Sequence, residues 1–267
     1  MDLYPNVGVK MNELIDSLKQ LPYTIKNASL ESRYSKKLYT LYLVVNLALI
    51  SFVFLLLNLT SSLPIDKSTR LWQLSGLLMF AWISSAIYFS SLKIKARGFL
   101  LNISNIPIYI LSNVQIINFF VLFFVSFILL QWIRLSNQID VEMSFWGIVY
   151  FIVLTMLLLI PICTLFALTM HIRKNMKWFV IGTLVVLFLS LPILWVPSNV
   201  PEILVNLLRL NPFYFVVNGF QESVVLGSSA FYNIPSHLIF WIELAFIYIW
   251  FNYIYELLKD EINVNKQ

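Results

Sequence analysis

Few residues in this chain have the types and spacing that chemistry needs. The one cysteine, Cys163, sits inside an apolar run, so within this sequence no disulfide and no cysteine-based metal site can form. The two histidines, His171 and His237, are far apart, and His171 lies beside Arg173 and Lys174, as a solvated loop residue would. The seven glycines are scattered, and neither a phosphate-binding Gly-x-x-x-x-Gly-Lys-Ser/Thr loop nor an H-E-x-x-H or G-x-S-x-G motif occurs. No metal, no cofactor and no catalytic group is expected. Energised work would have to draw on another subunit or an ion gradient. One carboxylate, Glu243, falls well inside an apolar run. It is expected to face the bundle and hydrogen-bond to neighbours rather than to serve a proton relay.

The elements around these residues are set by composition. Of 267 residues, 60% are apolar and 12% charged, and the mean hydropathy is +0.82. A soluble domain runs at about 45–50% apolar and about 25% charged. One water-soluble globule cannot hide so much apolar surface, which excludes soluble enzymes, nucleic-acid binders and disordered tails. A spanning helix needs about 20 mostly apolar residues. Six stretches qualify: 38–60, 71–92, 106–132, 146–170, 178–197 and 236–257. They are read as helices because lipid offers the backbone no partner and no alternating strands are present. With the N-terminus placed inside, fourteen Lys and Arg fall on the cytoplasmic side and four (Lys67, Arg70, Arg134 and Arg209) outside, a strong positive-inside bias. Both termini are then cytoplasmic. Trp72, Trp132, Trp146, Trp178 and Trp195 sit at span ends, where an amphipathic ring prefers the headgroup level. Residues 1–37 read as a cytoplasmic N-terminal segment without a signal peptide, and 38–267 as a six-span membrane domain.

Two segments depart from a plain bundle. In residues 9–26, Met11, Leu14, Ile15, Leu18 and Ile25 make one apolar stripe with charged residues off it. The segment is too polar to span and reads as an amphipathic helix on the inner leaflet, kinked or ended by Pro22. Residues 202–226 are apolar but broken by Arg209, Asn211-Pro212 and Asn218-Gly219. Pro212 biases Asn211 away from the α region, and Asn211 can cap a second helix that has Pro212 at its first position. Two half-helices dipping in from outside are expected, with a seventh full span as the alternative. The N-terminus of the second half-helix, with Arg209 two residues before Asn211, could hold a phosphate. Equally, Asn211 could only cap and Arg209 only snorkel to headgroups.

A family resemblance draws on these stretches in order. Ser32-Arg33-Tyr34-Ser35 before the first span, Ala96–Pro107 after the second, Leu191-Pro192-Ile193-Leu194-Trp195, and LRLNPFYFVVNGFQESVVLG at 208–227 resemble permeases of ABC exporters for cell-surface polysaccharides, teichoic acids and O-antigens. In the last and sharpest stretch the matching positions are Leu210, Asn211, Pro212, Phe213, Tyr214, Gly219, Phe220 and Gln221. The chain departs from the pattern at Phe220-Gln221, where Tyr-Arg is usual, at Ser104-Asn105, where a basic residue is typical, and at Leu38–Leu41, where Gly-x-x-Trp is usual.

The resemblance implies an all-α integral membrane fold of six spans with an N-terminal interfacial helix and a re-entrant half-helix pair between spans five and six. It implies a half-transporter in a bacterial plasma membrane. Two copies would pair, each binding a separate ATP-hydrolysing subunit on the cytoplasmic side, to move a lipid-linked polymer outward. The channel would be lined by Tyr39, Tyr42 and Asn46, at i, i+3 and i+7 on one face, and by Arg209, Asn211, Phe213 and Tyr214. The alternative for Tyr39, Tyr42 and Asn46 is helix packing alone. Leu100, Leu101, Asn102, Ile103 and Ser104 would form the coupling segment against the ATPase. Other readings are an ABC permease for a drug, peptide or lipid, and a membrane assembly factor that transports nothing.

Overall fold

A computed structural model describes residues 21–60, 63–103, 108–172, 176–197, 200–227 and 233–264. Every regular element among them is helical: α1 (Leu21–Tyr34), α2 (Lys36–Thr60), α3 (Pro64–Ile103), α4 (Ile108–Ser136), α5 (Phe145–Ile172), α6 (Lys177–Ser190), α7 (Glu202–Leu208), α8 (Pro212–Val225) and α9 (Ile234–Val264). Five of them, α2, α3, α4, α5 and α9, are long and apolar enough to cross a membrane, and α7 with α8 makes a pair bent by 112°. The chain is an α-helical, multi-pass membrane protein by length and composition.

Helices α3, α4 and α5 form the centre. Trp82 stacks on Phe123, whose ring meets Phe127 and Phe220, and the Trp82 indole donates to the Ile116 carbonyl. Several hydroxyls in these helices turn back on their own backbones. Ser126 donates to Leu122 O and Thr155 to Phe151 O. These hydroxyls are thereby satisfied without a partner in lipid.

Pro22 is the second described residue of α1, and the residues before Leu21, with any kink or helix end that Pro22 makes there, lie outside the described residues. The rest of the amphipathic stretch, residues 9–20, lies outside the described residues. The described turns are seated on α4 through Thr24, Ala28 and Glu31, while Ile25 is exposed. The fifth stretch, expected to span 178–197, is helical only to Ser190. Its 14 residues reach about 21 Å at 1.5 Å each, short of a hydrocarbon core about 30 Å thick. Pro192 disfavours helix at Leu191, whose backbone is extended, and the carbonyl freed at Pro192 is taken by side chains of α3 and α8.

Candidate functional site

The bent pair is built where its sequence suggests. Asn211 is extended, at φ −94° and ψ 115°, and its side-chain oxygen accepts from the Phe213 N–H at 3.0 Å. Pro212 holds the first helical position. The Asn211 amide nitrogen also donates to Ser190 Oγ at 3.2 Å, which ties the break between α7 and α8 to the end of α6.

From that break α8 runs into a slot between α3 and α5. Three glycines make the slot: a Cβ at Gly219 would overlap the Phe151 ring, one at Gly76 the Gln221 amide, and one at Gly147 the Ser223 hydroxyl. Phe220 and Gln221 are fully buried. Gln221 Nε2 donates to both Trp72 O (3.1 Å) and Pro192 O (2.9 Å), and the Trp72 indole donates to the same Pro192 oxygen. This clasp joins α3, α8 and the non-helical leg after α6.

The ends of the pair lie together. Beyond α8, Leu226 bridges to Glu142, and the Ser144 N–H donates to Ser223 O at 2.9 Å, both in the connection from α4 to α5. A cavity of about 280 Å³ at this end is lined by Thr69, Glu222 and Leu226 and by Val196 and Pro197, which lead into α7. The chain therefore enters the pair and leaves it on one face of the bundle, as a re-entrant segment does. Glu222 takes a hydrogen bond from Asn218 at 2.7 Å on the same helix face.

The other expected site residues are distributed differently. Phe213 and Tyr214 are buried, Tyr214 stacking on Trp195. Arg209 is exposed, its guanidinium donating to Asn206 Oδ1 at 3.1 Å. Tyr39, Tyr42 and Asn46 share a face, and that face turns inward onto α4: both tyrosine rings meet Phe119 edge-on, and Asn46 is buried. The lipid or partner side of α2 carries Leu41, Val44, Val45, Phe52 and Leu55 instead. In the single chain these three residues pack helices, and their group and that of Arg209 and Asn211 lie on different elements. Leu100, Leu101, Asn102 and Ile103 fall on the last turns of α3; their side chains, and Ser104, lie outside the described residues.

One polar cluster escaped sequence reasoning. Glu31 in α1 is buried and accepts from Gln115 Nε2 at 2.7 Å. Gln115 in turn lies 3.5 Å from Tyr39 Oη, which accepts from Asn118 Nδ2 at 3.1 Å. The cluster pins α1 to α2 and α4. A local signal was available in Thr24, Ala28 and Glu31, which recur at i, i+4 and i+7, but it is polar and lies off the apolar stripe. Of the five span-end tryptophans, Trp132, Trp146 and Trp178 are exposed, as interfacial anchoring requires, Trp195 is half-buried and Trp72 is buried.

Among the described residues no group of His, Cys, Asp and Glu could hold a metal ion. The sequence matches no protein-family model and no curated protein.

Proposed function

We propose that this chain is the permease subunit of an ABC exporter that moves a lipid-linked cell-surface polymer, teichoic acid-like or polysaccharide, outward across a bacterial plasma membrane. A separate ATPase on the cytoplasmic side drives it, and a second permease copy completes the channel. The observation that carries this reading is the bent pair itself. In the stretch of sharpest resemblance Asn211 caps α8, Pro212 starts it and Gly219 lets it seat on α5, while Phe220 and Gln221, where the chain departs from the pattern, are buried in the same seat. That stretch is thus a built element in the order the resemblance implies. The absence of a phosphate-binding loop in the sequence supports placing ATP hydrolysis on another chain. The run of α3 beyond the apolar stretch, from Leu92 to Ile103, supports a docking role for its last turns.

Depletion of the chain tests the reading. Lipid-linked polymer should then accumulate on the inner side of the membrane. Unchanged polymer distribution would reject polymer export, and export persisting without any nucleotide-hydrolysing partner would reject the whole class. Charged substitutions at Leu100, Leu101 and Ile103 together should uncouple ATP hydrolysis from export at normal membrane insertion. The exposure of Arg209, two residues before the capping Asn211, supports a contact with a phosphate-bearing substrate near the break. Arg209→Gln should cut export at normal protein level, with Arg209→Lys restoring part of it. Wild-type export by the Gln variant would reject that contact.

A further inference from the structure

Among the described residues Glu243 Oε2 does not find the hydrogen bond expected of it. It sits on α9 between two anchors. Six residues earlier, His237 Nδ1 meets Tyr150 Oη at 2.9 Å; five residues later, Tyr248 Oη donates to Leu157 O at 2.9 Å. Both anchors hold α9 on α5, and Phe240 and Leu244 beside Glu243 are buried in that seam. Glu243 is half-buried at the seam's edge. Its Oε2 is fully buried and has no hydrogen-bond partner among the described residues, while Trp241, Ile242 and Phe246 on the flank are exposed.

Among the described residues, the elements packed against α9 offer no counter-charge. α5 carries no Lys, Arg, Asp or Glu from Phe145 to Met170; its titratable groups are Tyr150, engaged by His237, and the buried Cys163. α8 brings Tyr214, buried against Trp195, and Glu222, which takes Asn218. Along α9 the titratable groups up to Leu257 are His237, Tyr248, Tyr253, Tyr255 and Glu256, with no Lys or Arg. An ionised carboxylate stripped of water and unpaired is so costly that the group takes up a proton instead.

We propose that Glu243 is an intramembrane proton-binding site, its carboxyl neutral at neutral pH and reachable from the hydrocarbon along one edge of α9. This does not rest on the export reading. The site would also react with an apolar carbodiimide. The acid adds across one C=N bond: a carboxyl oxygen bonds to the central carbon and the proton moves to nitrogen. The O-acylisourea then rearranges to a stable N-acylurea, with no leaving group.

The full chain reconstituted in phosphatidylcholine vesicles provides the test. Infrared difference spectra at about pH 7 should show the carbonyl band of a protonated carboxyl that is lost in Glu243→Gln. Dicyclohexylcarbodiimide should leave the N-acylurea on the wild-type peptide that bears Glu243, and a water-soluble carbodiimide should not. A carboxylate band in place of the acid band overturns the neutral state. Absence of the adduct overturns access from lipid, and this arm needs no variant to fold.

Discussion

Helices α3 and α5 and helices α2 and α9 all pass as membrane spans, yet they are built for different neighbours. Within an apolar 18-residue stretch of each, 61% of α3 and 56% of α5 are buried, against 17% for α2 and 11% for α9. Hydropathy does not separate them: the values are 1.4 and 2.7 for the first pair and 2.2 and 1.6 for the second. Small and hydroxyl side chains do. α3 brings Ser75, Gly76, Ser90 and Ser91 inside, and α5 brings Gly147, Thr155 and Thr164, so that α8 and α4 can approach closely. α2 and α9 turn branched and aromatic residues outward, such as Val44, Val45, Trp241 and Trp250. In lipid, association depends on close packing and hydrogen bonds rather than on apolarity, which both environments supply.

The largest expected effect breaks the inner pair. Gly219→Leu forces a side chain into the Phe151 ring, where both partners are packed, and should abolish folded protein in detergent, beyond the usual overpacking cost of about 1–3 kcal/mol. The same change at Gly182 on α6, where a Cβ meets nothing within 4 Å, should leave folded yield intact. Equal loss at both would mean that α8 is not seated as described. A smaller loss is expected from Gln221→Leu. It removes both donations, to Trp72 O and Pro192 O, and should lower stability by about 1–3 kcal/mol as buried carbonyls lose a donor. Thermal unfolding of the purified chain reads this directly. Smallest is Asn211→Ala, which removes the cap and the contact to Ser190 and should cost about 1 kcal/mol. No measurable shift would mean that water takes over the Phe213 N–H.

The sequence shows unequally why these regions differ. Apolar runs mark α2, α4, α5 and α9 because lipid contact and burial ask for the same side chains. The break at Asn211-Pro212 is legible because capping is local: donor and acceptor are two residues apart. The shortness of α6 is legible only in part: Pro192 disfavours helix at Leu191, but the side chains that take up the freed Pro192 carbonyl, Trp72 and Gln221, lie 120 and 29 residues away. The inward turn of Tyr39, Tyr42 and Asn46 is hidden. Periodicity gives one face but not which neighbour it meets, and that neighbour is Phe119 on α4.

The claim on which this account turns is that the bent pair enters and leaves on one face of the membrane. It is tested most directly by single cysteines at Glu202 and Leu226, both exposed, in a Cys163→Ala background, probed with a membrane-impermeant thiol reagent in sealed vesicles of known orientation. Both should label from the same side, and that side should also label a cysteine at Asp140 in the connection from α4 to α5. Labelling of Glu202→Cys and Leu226→Cys from opposite sides would contradict the re-entrant path and make α7 and α8 one broken span.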